Sequence, residues 1–359
     1  MKLPILFLIA GLLILSANTN ADSISSWTAN TAYSSNVVFP SCATSNNFIY
    51  CVGGLTQGLA AIKSVYSTPI TNNNIGAWTS NTQYPSNVDS ESCATSNNFI
   101  YCIGGISTSL IIQSSVYSAP ITNNKIGAWT SNTPYPYPVD HQSCATNNNF
   151  IYCIGGLMTG SISSNGVYTA SLTNNKITSW TSNTPYPANV YEGSCAINNN
   201  FIYCIGGNIG SGGVSSNTVY SAPITNNNIG AWTLNTPYPA NVDVESCATS
   251  NNFIYCIGGE IGSGGVVSNT VYSAPITNNN IGAWTSNTPY PDNVAEQSCV
   301  PHNGFIYCMS GLTVLASNSV YSASIFAPGI LSESNTVIDN GQYARLTANP
   351  SGGTPPYTI

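Results

Sequence analysis

The chain has 359 residues and a formal charge of −7, from five Lys and Arg against twelve Asp and Glu, and only 5% of it is charged. An ordinary soluble domain is roughly 25% charged. The shortage excludes a nucleic-acid binder, which needs a basic stripe, along with long exposed helices and charge-driven disorder. What remains is a chain rich in Asn, Ser, Thr, Gly and Tyr, 42% apolar, which is the composition of sheets and turns.

At the N-terminus Lys2 precedes an apolar run over residues 3–15, followed by small and polar residues up to Ala21. Residues 1–21 read as a secretory signal peptide cleaved after Ala21, the run being short for a membrane span. No later segment is apolar enough to cross a bilayer, so the expectation is a secreted or cell-surface protein with no span after cleavage. In that compartment disulfides persist.

From residue 22 the sequence repeats. All six tryptophans fall in one series, Trp27, Trp78, Trp129, Trp180, Trp232 and Trp284, at intervals of 51 or 52 residues. Each unit holds four short β-like runs bounded by Asn, Gly and Pro, which is the signature of a propeller blade. One unit runs from Ser246 and Cys247 through Phe253-Ile254-Tyr255-Cys256-Ile257-Gly258-Gly259. It continues with Val271-Tyr272-Ser273-Ala274-Pro275-Ile276 to Trp284.

These residues resemble the Kelch-type repeat. The match lies in the aromatic strand ending in a glycine pair (Phe201 to Gly207), the later Tyr220, and Trp232 with Pro237-Tyr238-Pro239 behind it. The form is similar to secreted prokaryotic and archaeal Kelch-like propellers and to the central domain of galactose oxidase. Two departures stand out: the Tyr-to-Trp spacing is longer than in the common unit, and the last blade has Ser310-Gly311 for the glycine pair.

The phase of the repeat predicts an all-β, six-bladed β-propeller over residues 22–325. Trp27 opens the mature chain on an outermost strand with no inner strands before it. The last unit supplies three strands, near residues 299–301, 305–309 and 319–325, with no Trp after them. The N-terminal strand is therefore expected to complete the sixth blade, which removes the open edges of a linear array.

Every cysteine lies in the repeat at a spacing of nine: Cys42/Cys51, Cys93/Cys102, Cys144/Cys153, Cys195/Cys204, Cys247/Cys256 and Cys299/Cys308. At the midpoint is Asn-Asn, or Asn303-Gly304 in the last blade, a two-residue hairpin signal. Counting outward from that turn sets each pair of cysteines face to face at a non-hydrogen-bonded position, about 4.5 Å apart at Cα. One intrablade disulfide per blade follows, each worth about 2–3 kcal/mol in a loop this short.

Loops joining the fourth strand to the next blade share one end of a propeller with loops between the second and third strands. That end carries most of the acids, and Glu91, Asp140, Glu192, Glu245 and Glu296 are the candidate binding residues at the channel mouth. The competing reading makes them ordinary solvated acids. His141 falls in an interblade loop and His302 beside the Asn303-Gly304 turn, on opposite faces, so they share no metal. No metal, cofactor or catalytic residue is expected. The propeller has no Arg, which disfavours acidic-sugar chemistry, and its Gly-rich loops at 207–213 and 259–265 lack the lysine of a phosphate cradle. The six tryptophans and Tyr66, Tyr117, Tyr168, Tyr220, Tyr272 and Tyr321 read as interblade core.

After residue 325 the period stops. Pro328-Gly329 opens a linker, and residues 337–359 resemble the first strands of an Ig-like or PKD-like module, so 326–359 read as a linker and truncated Ig-like segment. The functional expectation is a monomeric binding or adhesion scaffold for a protein or glycan at the cell surface. The alternative is a carbohydrate-active enzyme of glycosidase or epimerase class using carboxylates at the mouth. With so few carboxylates to protonate, stability is expected to be flat from pH 7 to about 3.

Overall fold

The computed structural model describes residues 23–210, 212–262 and 265–326. Residues 1–21, read above as a signal peptide, and those after 326, read as a linker and truncated Ig-like segment, lie outside the described residues. Among those described, no helix is long and apolar enough to cross a membrane.

The structure is all-β and built of six equivalent blades. Blade one shows the plan: an innermost strand Ser41–Ser45, a second Phe48–Val52, a third Val65–Thr71, and a short outer strand Thr79–Ser80. All pair antiparallel in that order. The second strand is a continuous apolar run because both of its faces are covered. Ile49, Tyr50, Cys51 and Val52 all have no exposed surface. Blade three departs from the plan, since its third strand stops at Ser171 and a single 3-10 turn, Thr173–Asn175, replaces the small outer hairpin.

The hairpins between first and second strands close on Asn-Asn turns or on Asn303-Gly304, the first residue at positive φ in all six and both residues so at Asn97-Asn98, Asn148-Asn149, Asn251-Asn252 and Asn303-Gly304. This tight hairpin turn favours left-handed central residues, which Asn and Gly tolerate. The resulting register pairs Ser250 with Phe253 and Cys247 with Cys256, as counted from the sequence.

All six expected disulfides are present: Cys42–Cys51, Cys93–Cys102, Cys144–Cys153, Cys195–Cys204, Cys247–Cys256 and Cys299–Cys308. Their Cα atoms are 4.0 to 4.1 Å apart, closer than the 4.5 Å typical of such a pair. The second-strand partners Cys51, Cys102, Cys153, Cys256 and Cys308 have no exposed surface, and Cys204 is 3% exposed. These cysteines are therefore internal braces between the two inner strands of each blade.

The sixth blade is composite. Ser298–His302, Phe305–Met309 and Val320–Phe326 come from the end of the repeat, and Ser23–Ile24 and Thr28–Ala29 from its beginning. Thr28 pairs with Ser322 and Ile24 with Ile325.

Three rings of hydrogen bonds run blade to blade and return to their start. In the innermost, each first-strand serine accepts from the next blade's cysteine N–H. Cys93 bonds Ser41 Oγ at 2.7 Å and Cys42 bonds Ser298 Oγ at 3.1 Å. In the second, one asparagine per blade works in two directions. Asn81 Nδ2 donates to Ser67 Oγ in its own blade, and its Oδ1 accepts from Ile126 N–H of the next, while Asn287 Oδ1 accepts from Ile24 N–H. In the third, each tryptophan Nε1–H donates to a threonine carbonyl of the preceding blade, from Trp27 to Thr288 through Trp284 to Thr236.

The aromatic core differs in detail from expectation. The six tryptophans are only partly buried and pack edge-on, at 4.8 to 4.9 Å between ring centroids, against Tyr33, Tyr84, Tyr135, Tyr186, Tyr238 and Tyr290. Those tyrosines, five of them from the Pro-Tyr or Gln-Tyr turn, are at most 2% exposed. The tryptophan's polar N–H keeps it at the edge, where a carbonyl is within reach.

Candidate functional site

The approach to each innermost strand is the same in every blade. Four residues before the first cysteine the chain lies between blades; three before, it turns through a left-handed residue; then it enters the strand. The left-handed position holds Phe39, Ser90, His141, Glu192, Val244 and Glu296, with φ between 47° and 59°. Such values are uncommon for non-glycine residues and for valine a real outlier. The conformation is held because these residues bond one another around the axis. His141 N–H donates to Ser90 O, Glu192 to His141, Val244 to Glu192, Glu296 to Val244 and Phe39 to Glu296, at 2.9 to 3.1 Å.

This rim encloses a pocket of about 160 Å³ to which all six blades contribute. Besides the rim residues it is lined by the next position in the chain, Pro40, Glu91, Gln142, Gly193, Glu245 and Gln297. No Lys or Arg lines it. Sequence reasoning placed Glu91, Glu192, Glu245 and Glu296 at the mouth, and the structure brings all four to this one pocket. Asp140 stands apart from it, one residue earlier in the chain and 1% exposed, where its Oδ1 lies 3.0 Å from His141 Nδ1.

The competing reading of solvated acids does not hold for Asp89, Glu91, Asp140, Asp243 and Glu245, which are buried, whereas Glu192, Glu260 and Glu296 are partly exposed and Asp292 is exposed and accepts from Tyr321 Oη. Burial is the chief cause of the shifts that follow, because a low-dielectric surrounding disfavours the charged carboxylate. It pushes Glu245 up to about 8, with Asp243 adding to the effect. Glu296 rises to about 7, helped by the charges of Glu260 and Glu192. Asp243 rises to about 7, helped by Glu192 and Glu260. Glu91 is driven well above the usual carboxylate range by burial.

Repeat equivalence clarifies the two deepest acids. At their position Gln142 and Gln297 donate from Nε2 to the carbonyls of Ile103 and Ile257, at 2.7 and 2.6 Å, at the end of the preceding blade's second strand. Glu91 and Glu245 occupy the same place, and a protonated carboxyl supplies the donor that an ionised one lacks.

His141 is the one basic side chain of the rim. Burial disfavours its charged form, but the hydrogen bond to Asp140 and the charges of Glu192, Asp140 and Asp89 outweigh that and raise its pKa. Its Nε2 lies 3.5 Å from Glu192 Oε1, and its ring meets Phe39 edge-on at 4.9 Å. Glu192 Oε2 accepts from Asn208 Nδ2 at 2.6 Å, which ties one Gly-rich loop to the rim. Sequence reasoning left His141, Gln142, Gln297, Phe39 and Asn208 out of the site. Aligning the blades by their cysteines was the signal that finds the first four, since they share two repeat positions with the glutamates. Asn208 had no such signal.

Around the pocket stand the loops between second and third strands. Their tips carry Leu59, Leu110, Ile111, Ile162, Val214, Val266, Val314 and Leu315, all more than half exposed, so every blade contributes at least one. His302 lies at the other end of its strand, against Asn47 Oδ1, and no group of three or more metal-ligating side chains forms among the described residues.

Residues 91–311 match the family model described as the KLHDC2/KLHL20/DRC7 Kelch-repeats domain. Among solved structures, one titled "Structure of YjhT" superposes with a TM-score of 0.68 at 14% identity, covering 83% of this chain and 97% of that one. At that identity the likeness concerns the fold alone. No curated protein matches the chain.

Proposed function

The chain belongs to the Kelch-repeat family, and from that premise we propose that it is a secreted or cell-surface binding scaffold whose protein or glycan partner docks on the face carrying the central pocket. The observation that carries this reading is the segregation of exposed apolar side chains. Of nine large ones among the described residues, eight sit on the loop tips around the pocket, and Leu234 lies elsewhere, on an outer strand. Scattered apolar residues are ordinary on a surface, but their concentration at one end around a polar hollow marks an interaction face. Six disulfides suit an oxidising compartment and agree with the N-terminal leader read from the sequence.

The test is a comparison of the full chain with a variant carrying Leu59→Ser, Leu110→Ser, Ile162→Ser and Val314→Ser on glycan and extracellular-protein arrays. The variant is expected to lose partner binding at least tenfold while keeping its thermal midpoint. Equal binding by both proteins would sink the reading. Sequencing the exported protein tests the leader: a start at Asp22 supports it, and a start at Met1 overturns it.

A second reading, a carbohydrate-active enzyme, draws support from two pocket carboxyls shifted to the range of a general acid, Glu296 to about 7 and Glu245 to about 8. Turnover of any array sugar, abolished by Glu296→Gln, would establish it in place of binding alone.

A further inference from the structure

We propose that the central pocket seats a basic side chain, the lysine ammonium or arginine guanidinium of a protein partner. This rests on the reading of the pocket face as the docking surface and names what that surface recognises. The pocket holds unspent hydrogen-bonding capacity. Gln142, Gln297, Glu245 and Glu91 line the pocket, are 5 to 6% exposed, and carry buried oxygens with no partner in the protein. The atoms are Gln142 Oε1, Gln297 Oε1, Glu245 Oε2 and both carboxyl oxygens of Glu91. The glutamine oxygens only accept, and each carboxyl keeps at least one acceptor oxygen whether or not it carries a proton. Each glutamine amide already gives one N–H to a backbone carbonyl.

The guest must therefore donate. Leaving buried acceptors unmet is costly, so a guest that brings several N–H groups is favoured. Charge narrows the choice. Glu192 and Glu296 stand on the rim with no Lys or Arg in the lining, and His141 is already engaged by Asp140. An anionic guest meets the repulsion of these carboxylates. A sugar hydroxyl brings an acceptor oxygen with each donor and no charge. Only a cation with several N–H groups meets both demands.

Size and surroundings point to a side chain on a larger partner. A pocket of about 160 Å³ holds the equivalent of roughly five waters, enough for one extended side chain and too small for a folded element. Tips such as Leu110 and Val314, 81% and 92% exposed, offer apolar surface for the partner's neighbouring residues.

The test is calorimetric titration of the full chain at pH 8 with N-acetyl-lysinamide, N-acetyl-argininamide, the apolar isostere N-acetyl-norleucinamide, and N-acetyl-glutamate amide. Saturable binding of a basic probe, at least tenfold tighter than norleucine or glutamate, is the expected result. The double variant Glu192→Gln, Glu296→Gln is expected to weaken the basic probe at least tenfold, and His302→Asn at the far end to leave it unchanged. Equal affinity for norleucine, preference for glutamate, or an unaffected double variant would each overturn the proposal. The wild-type ranking needs no variant, so a folding defect cannot mask the answer. Probe binding together with array binding that survives loss of the apolar tips overturns the docking face alone. Array binding that is lost with those tips, without any probe binding, overturns the basic-side-chain assignment alone.

Discussion

The two ends of the propeller share one backbone and have opposite chemistry. At the hairpin end the turns are nearly identical in every blade, and their asparagines bond around the ring, as Asn46 Nδ2 to Asn98 Oδ1 and Asn97 Nδ2 to Asn149 Oδ1. At the pocket end the main chain is just as regular, yet one equivalent position holds Phe, Ser, His, Glu, Val and Glu. The hairpin end needs left-handed residues in a two-residue turn, so its sequence is fixed by geometry. The pocket rim is held by bonds between backbone groups, which leaves the side chains free to differ. Specificity is expected where the backbone repeats and the side chains do not.

The largest expected effects test the shared scaffold. At Gly104, φ is +66° and an added Cβ would lie within 2.2 Å of Val139 O, whereas at Gly210, φ +68°, nothing lies within 4 Å. Gly104→Ala should destabilise by about 3 kcal/mol or more, through strain and clash, and Gly210→Ala by about 1 kcal/mol. Denaturant midpoints check this, and equal effects would contradict the tight blade junction. Next comes the asparagine ring. Asn235, 9% exposed, accepts from Ile281 N–H at 2.7 Å and donates to Ser221 Oγ, so Asn235→Ala should cost about 1–3 kcal/mol.

A moderate effect separates the ends by pH. Carboxyls raised in the folded state, Glu245 to about 8 and Glu296 and Asp243 to about 7, bind protons there that the unfolded chain has released. The stability they contribute is fully present below the unfolded value near 4 and is lost as pH rises toward 8. His141, also raised, contributes fully below about 6.5 and loses that contribution as pH rises through its folded value, so it acts in the same direction. The flat profile suggested by composition is therefore replaced by a slope, with a thermal midpoint several degrees higher at pH 5 than at pH 8.5. Glu245→Gln should flatten the slope, because a neutral amide keeps the donor without titrating. A midpoint that rises with pH would contradict the buried-acid account. The smallest effect belongs to the hairpin end. His302→Asn removes an exposed contact to Asn47 and should change stability by less than about 0.5 kcal/mol.

Much of the fold was legible because its determinants are local and repeated sixfold. The Asn-Asn turns fixed the register, the register placed Cys247 opposite Cys256, and the phase of Trp27 foretold the composite last blade. Less of the site was legible. The spacing of Glu91, Glu192, Glu245 and Glu296 to their cysteines put them at the mouth, but nothing local separates a buried carboxyl from a solvated one.

The sequence by itself thus determined the strands, their pairing, the disulfides and which end gathers the acids, since each follows from turn chemistry and period over a few residues. Only the tertiary structure decided that Glu91 and Glu245 lie in the place where Gln142 and Gln297 make buried bonds, that Asp140 supports His141, and that the loop tips stay exposed. Those outcomes depend on the distance between neighbouring blades around the ring. Burial, and with it the protonation of a carboxyl, is a property of that whole assembly, so no single repeat encodes it.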